Sequence, residues 1–160
     1  MVGIKLRFVP QRLEPRIPHD RRAVLENLVV NEEEPGLLAY RDGVPAGWCA
    51  VGPRQRYSRL MSHRSQVYRP EDEAPDNWVI NCFYLPRAER GHGIATRLLE
   101  AAVGYAFGRG AASIDAYPLI DISQGANSLY VGTVSMFEKA GFVELRRVRN
   151  RPLMRLTRSD

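Results

Sequence analysis

The chain is poor in cysteine and nearly without lysine, and it lacks any long apolar run. Its two cysteines, Cys49 and Cys82, lie in apolar, strand-like stretches and read as reduced core residues of a cytosolic protein. No Cys/His spacing suggests zinc, so no metal is expected. No stretch approaches the ~20 apolar residues of a membrane span. Met1 to Phe8 alternates in polarity instead of forming the apolar core of a signal peptide. The expectation is a soluble, cytoplasmic protein without a membrane partner. Lys5 and Lys139 are the only lysines, so the net charge of +5 rests on arginine. That balance follows from a GC-rich genome or suits a very anionic ligand, and charge alone names no partner. Repeats, low-complexity tracts and splitting linkers are absent too. With 160 residues, 44% hydrophobic and 26% charged, the chain reads as one globular domain over residues 1–160, large enough for its own core.

What is present centres on Cys82-Phe83-Tyr84-Leu85-Pro86-Arg87-Ala88-Glu89-Arg90-Gly91-His92-Gly93-Ile94-Ala95-Thr96-Arg97-Leu98-Leu99-Glu100. An apolar strand enters an Arg-Gly-x-Gly loop that opens directly into an amphipathic helix. The first turn of a helix carries amides with no intrahelical acceptor, at the positive end of the macrodipole. Gly91 and Gly93 have no side chain to obstruct a ligand and can take backbone angles closed to other residues. A diphosphate can therefore lie against bare amides, with Arg90 as a cationic rim. A Rossmann dinucleotide site fits less well. Thr96 stands where its third small residue belongs, although Ala95 is one place earlier, and Asp115, the nearest acid about twenty positions on, sits inside a strand candidate. A Walker A loop needs Gly-Lys-[Ser/Thr], which the chain does not contain. Arg90-x-x-Gly93-x-Ala95, with its preceding strand (late Leu85) and following helix, instead resembles the acetyl-CoA pyrophosphate loop of the GNAT superfamily of N-acyltransferases, Arg/Gln-x-x-Gly-x-Gly/Ala.

The rest of the chain supplies an element order. Ile4 to Val9 alternates as a first strand, stopped by Pro10, and Asp20 caps a helix over 21–30. Leu37 to Arg41, Asp42-Gly43 and Val44 to Val51 form a hairpin, because Asp-Gly suits a tight primed turn. Gly52 to Pro75 is irregular, with one short helix around Tyr57 to His63. Trp78 to Leu85 is a continuously apolar strand apart from Asn81, as expected where both sheet faces are covered. A helix runs from Ile94 to about Phe107, with Ala95, Leu98, Leu99, Ala102 and Ala106 on one stripe, stopped by Gly108 and Gly110. Ser113 to Tyr117 is the next strand, parallel to the previous one. After a polar loop over Leu119 to Tyr130, a short helix spans Thr133 to Ala140, with Ser135-x-x-Glu138 as a capping box and Gly141 as its stop. Phe142 to Val148 and Pro152 to Leu156 close the chain as a hairpin about Asn150-Arg151. The order β-α-β-β-β-α-β-α-β-β is similar to that of the GNAT fold. Met136-Phe137-Glu138-Lys139-Ala140-Gly141-Phe142 resembles the family's closing Leu-Tyr-x-x-x-Gly-Phe. The resemblance runs from Ile4 to Leu156 and implies an α/β (α+β mixed) fold, a central mixed sheet with helices on both faces.

The same resemblance implies the chemistry. Acetyl-CoA would be the co-substrate, its pantetheine arm paired with the fourth strand, where main-chain N–H groups of Phe83, Tyr84 and Leu85 polarise the thioester. Arg90, Gly91, His92, Gly93, Ile94 and Ala95 would hold the diphosphate, with Thr96 adding its hydroxyl. One fixed donor aimed at a developing oxyanion is worth roughly 3–4 kcal/mol. A neutral primary amine of a small molecule or a protein would attack directly in a ternary complex. One proton must then leave the ammonium and another reach the departing thiolate. Many family members use the tyrosine of the closing helix for the second task, but this chain has Phe137 there, and Tyr130 where an asparagine is common. The candidate acids are Tyr130, then Tyr117, then Ser135. Asp115 shares its strand parity with Tyr117 and reads as a base or, equally, as a structural carboxylate, with ordered water as the alternative base. Cys82 is a poor nucleophile, because an apolar strand raises its thiol's pKa.

The acceptor side is less defined. Glu32-Glu33-Glu34 could attract a cation or merely solvate a helix end. Arg54-Gln55-Arg56-Tyr57-Ser58-Arg59 reads as a recognition segment for an anionic group or as a soluble loop. Two other functions stay open: a catalytically silent acyl-CoA sensor, suggested by Phe137, and a basic nucleic-acid-binding domain. The second is disfavoured, because no recognition-helix or RNA-sheet motif occurs. A homodimer stays open.

Overall fold

A computed structural model describes residues 5–6 (main chain), 35–57, 69, 72–120 and 130–159. The expected helix over 21–30, the acidic run at 32–34 and the short helix ending at residue 63 fall outside these, Tyr57 excepted. Among the described residues seven strands form one sheet: β1 (Lys5–Leu6), β2 (Gly36–Arg41), β3 (Val44–Pro53), β4 (Asn77–Tyr84), β5 (Ser113–Ala116), β6 (Val143–Val148) and β7 (Arg151–Thr157). Their order is β1-β2-β3-β4-β5-β7-β6. All neighbours are antiparallel except β4 and β5, the parallel pair expected on either side of a crossover helix. That helix is α1 (Ile94–Gly108), and a shorter α2 (Val134–Lys139) leads into β6. The mixed α/β architecture implied by the sequence is thus present. No helix among the described residues is long and apolar enough to cross a membrane.

Local chemistry explains the elements. Asp42 (φ +52°) and Gly43 (φ +82°) close the β2–β3 hairpin in the left-handed region, as a primed turn requires. The β6–β7 turn falls on Arg149 and Asn150, one residue earlier than expected, because Arg151 already pairs with Val148. Helix α1 buries Ile94, Leu98, Leu99, Ala102 and Ala106, and it lies across β2 and β3. Ile94, not Ala95, heads that stripe. Each buried leucine contributes about 1.5–3 kcal/mol relative to exposure. The helix ends in a Schellman motif: Ala111 N–H reaches Ala106 O at 3.0 Å and Gly110 N–H reaches Phe107 O at 3.1 Å, with Gly110 at φ +90°. Gly108 is only its last helical residue.

Helix α2 corrects one expectation. Its N-cap is Thr133, whose Oγ1 accepts Met136 N–H at 3.3 Å, whereas Ser135 is already inside the helix and caps nothing. Thr133 has the extended backbone that lets a side chain turn back to the third helical amide, and Ser135 does not. The C-terminus is again a Schellman motif, with Phe142 N–H to Phe137 O at 3.0 Å and Gly141 at φ +88°. Such ends usually bring an apolar contact between the same two positions. Here it is the T-shaped pair Phe137–Phe142, with ring centroids 5.1 Å apart.

Candidate active site

The site begins with a mismatch of strand lengths. Strand β4 pairs with β3 from Trp78 to Tyr84, but the register slips between Ala50 and Val51, leaving Asn81 unopposed. With β5 it pairs only from Asn77 to Ile80. Strand β5 stops at Ala116, two residues before Pro118, which has no N–H to donate. A bulge bends its strand and interrupts the ladder, so the two parallel strands part at their carboxyl ends. In open α/β sheets ligands bind outside those ends. The Asn81–Tyr84 edge therefore offers main-chain groups with no ladder partner on the β5 side among the described residues. The bulge also redirects side chains, sending both Ile80 and Phe83 into the core under α1, while Tyr84 is 63% exposed. Burial raises the thiols of Cys49 and Cys82, the former further through its neighbour Cys82, so both stay protonated at neutral pH.

From Tyr84 the chain passes Leu85, Pro86 and a short 3₁₀ turn over Arg87–Glu89, then enters the glycine loop. Gly91 (φ +79°) and Gly93 (φ +73°) are both left-handed, and a Cβ on either would meet nothing within 4 Å. Backbone angle, not crowding, requires glycine at these two positions, and the space beside them is open. Gly93 is the N-cap of α1 and no side chain caps that end, so the first-turn amides keep free N–H groups. Arg90, His92 and Thr96 are exposed, Ala95 is half-buried and Ile94 is buried. Arg90 Nε donates to Leu85 O at 3.3 Å, which ties the loop rim to the end of β4.

Helix α2 reaches the same opening. Leu119 bridges to Thr133 beyond the end of β5. At Gly132 (φ +78°) a Cβ would come within 2.7 Å of Met136 Cε and 2.8 Å of Phe137 Cε2. Phe137 is fully buried, its ring centroid 6.3 Å from that of Phe83. It backs the β4 edge as packing. Of the three candidate acids, Tyr130 (48% exposed) and the exposed Ser135 flank the start of α2. Ser135 Oγ lies 3.3 Å from Thr133 Oγ1. Tyr117 is only 6% exposed and packs with Val79 and Leu153 in a separate cluster. Tyr57, which is not one of the candidate acids, packs against that cluster, and burial pushes its phenol up.

The structure decides between the two readings of Asp115 and corrects the one of Arg54. The Asp115 carboxylate is fully buried and gripped by two guanidinium groups. Arg155 forks onto it, Nε to Oδ1 at 2.7 Å and Nη2 to Oδ2 at 3.0 Å, while Arg54 Nη2 bonds the second oxygen. Arg54 also donates to Asn77 Oδ1, and Asn77 Nδ2 donates to Ser113 Oγ at 2.8 Å. Asp115 is therefore the structural carboxylate of the two readings. Arg54, in the segment read either as recognising an anionic group or as a soluble loop, is instead buried, because an interior carboxylate needs a charged partner.

Residues 5–142 match the model of the Acetyltransferase (GNAT) family. That match covers most of the sequence, and the protein belongs to the GNAT acetyltransferase family. None of the curated proteins matches it. Solved structures of similar fold include the ribosomal-protein-alanine N-acetyltransferase of Brucella melitensis, at 20% identity over 86% of this chain and 76% of that one, TM-score 0.55. An N-acetyltransferase from Staphylococcus aureus Mu50 gives 18% identity over 88% and 78%, TM-score 0.56. The NatC complex bound to Gag peptide and CoA gives 14% over 91% and 84%, TM-score 0.54. At such identities the likeness is one of fold.

Proposed function

We propose that this protein is an acetyl-CoA-dependent N-acetyltransferase, one domain over residues 1–160 working in the cytoplasm, that passes an acetyl group to a primary amine by direct attack in a ternary complex. The observation that carries this reading is the parting of β4 from β5 after Ile80, with the free β4 edge leading into an uncapped glycine loop. The diphosphate lies on the amides from Gly91 to Thr96, with Arg90 at the rim, and the pantetheine arm runs along the edge of β4. An N–H in the Phe83-Tyr84-Leu85 stretch holds the oxyanion as the amine adds to the carbonyl carbon. The C–S bond then breaks and the thiolate takes a proton.

We assign that proton first to Tyr130, whose exposure leaves its hydroxyl free to meet solvent and ligand. Tyr117 comes second and Ser135 third. The ammonium proton leaves through water, since both oxygens of Asp115 are engaged by arginine. The acceptor is a small-molecule or protein amine. One similar structure is named for ribosomal-protein alanine and another holds a peptide with CoA, which supports including peptides with free N-termini among the test substrates.

The test is thiol release from acetyl-CoA over a panel of small amines and such peptides. Turnover on any member supports the assignment. Saturable binding without turnover favours the second reading, a silent acyl-CoA sensor, for which the burial of Phe137 is the motivating observation.

A further inference from the structure

We infer that Arg41, on the β2–β3 hairpin, is a positioning residue for the diphosphate loop, holding Glu89 and cancelling its charge beside the amides that receive an anionic ligand. The inference rests on the coenzyme reading above. Arg41 ends β2, and its Nη2 donates to Glu89 Oε1 at 2.6 Å, the side chains being 32% and 16% exposed. Glu89 closes the 3₁₀ turn and immediately precedes Arg90. Its other oxygen, Oε2, is buried and has no hydrogen-bond partner among the described residues. A carboxylate so placed is tolerable only while its cation stays, and removing one partner of such a pair leaves an uncompensated charge. Freed of Arg41, Glu89 must turn outward, pulling the turn that sets the loop and bringing negative charge toward the diphosphate. At ordinary ionic strength that repulsion acts over about 10 Å.

The same hairpin seats the far side of the loop. At Gly47 in β3, a Cβ would lie 3.2 Å from Ile94 Cγ2, 3.2 Å from Leu98 Cδ1 and 3.4 Å from Leu85 Cγ. Strand β3 thus touches the residue that enters the loop and the first residues of the helix that leaves it. The hairpin therefore holds both ends: by bare packing at Gly47 and by charge at Arg41.

The experiment measures the Kd of acetyl-CoA by calorimetry and the melting temperature of the free protein, for wild type, Arg41→Met, Arg41→Lys and Arg41→Met/Glu89→Gln. The expected result is binding weakened about tenfold in Arg41→Met, the scale of one charge-assisted bond. Arg41→Lys should stay within about threefold of wild type, and the double variant should recover most of the loss. A lowered melting temperature with unchanged Kd, or a double variant binding no better than Arg41→Met, overturns the inference while leaving the proposed function standing. Should Arg41→Met not fold, a double variant with impaired binding overturns it as well. A wild-type protein that binds no CoA thioester removes the proposed function and this inference together.

Discussion

A ring without a hydroxyl occupies position 137, buried against Phe83 and Phe142, so in the proposed reaction the proton for the departing thiolate comes from another group. If Tyr130 supplies it, Tyr130→Phe will lower kcat with little change in the Kd of acetyl-CoA, and unchanged kcat across pH rejects the assignment. The two thiols make a second prediction at this scale. Burial raises both pKa values in the folded protein, so the unfolded chain loses these protons first. Their contribution is full below the unfolded value of about 8.5 and is lost as pH rises toward the folded values. The melting temperature should therefore fall above about pH 8.5, and less steeply in Cys49→Ala. Parallel curves contradict the stated burial. Gly91, Gly93 and Gly141 were readable from sequence because glycine at a helix end has few physical uses other than a left-handed backbone. Arg54 was not, since an arginine among arginines carries no sign that a buried carboxylate sixty-one residues away will claim it.

Helix α1, the two hairpins and β4 were readable as elements, because apolar spacing and turn residues are local signals. The bulge at Asn81, which opens the site, was not. Register belongs to a pair of strands, and nothing in β4 alone says where β3 slips past it. The N-cap of α2 was misplaced by two residues for a related reason: Thr133 and Ser135 are both good caps, and the choice depends on where Gly132 lets the chain turn. That glycine gives the prediction at this scale. A methyl there would meet Met136 and Phe137 at 2.7–2.8 Å in a left-handed backbone. Gly132→Ala should cost about 1–3 kcal/mol by denaturant unfolding. An unchanged midpoint would mean that α2 is not packed as described.

At the scale of the whole molecule, one sheet carries two different ends. Asn77 and Ser113 join the amino ends of β4 and β5, and Arg54 and Arg155 tie Asp115 into the same buried network, while the ladder between the two strands stops after Ile80. Arg54→Met leaves the buried Asp115 with Arg155 alone, and a loss of about 3–5 kcal/mol is expected from thermal or urea unfolding. A loss well under 1 kcal/mol would show that the network does not hold the closed end.

The central claim is that the open end receives the diphosphate and thioester arm of acetyl-CoA. Thermal unfolding with acetyl-CoA, beside equal ATP and NAD, tests it most directly, because a ligand at one hundred times its Kd stabilises the folded state by about 2.7 kcal/mol. The predicted result is a saturable rise in melting temperature with acetyl-CoA, larger than with either control nucleotide. No rise with any CoA thioester contradicts the account.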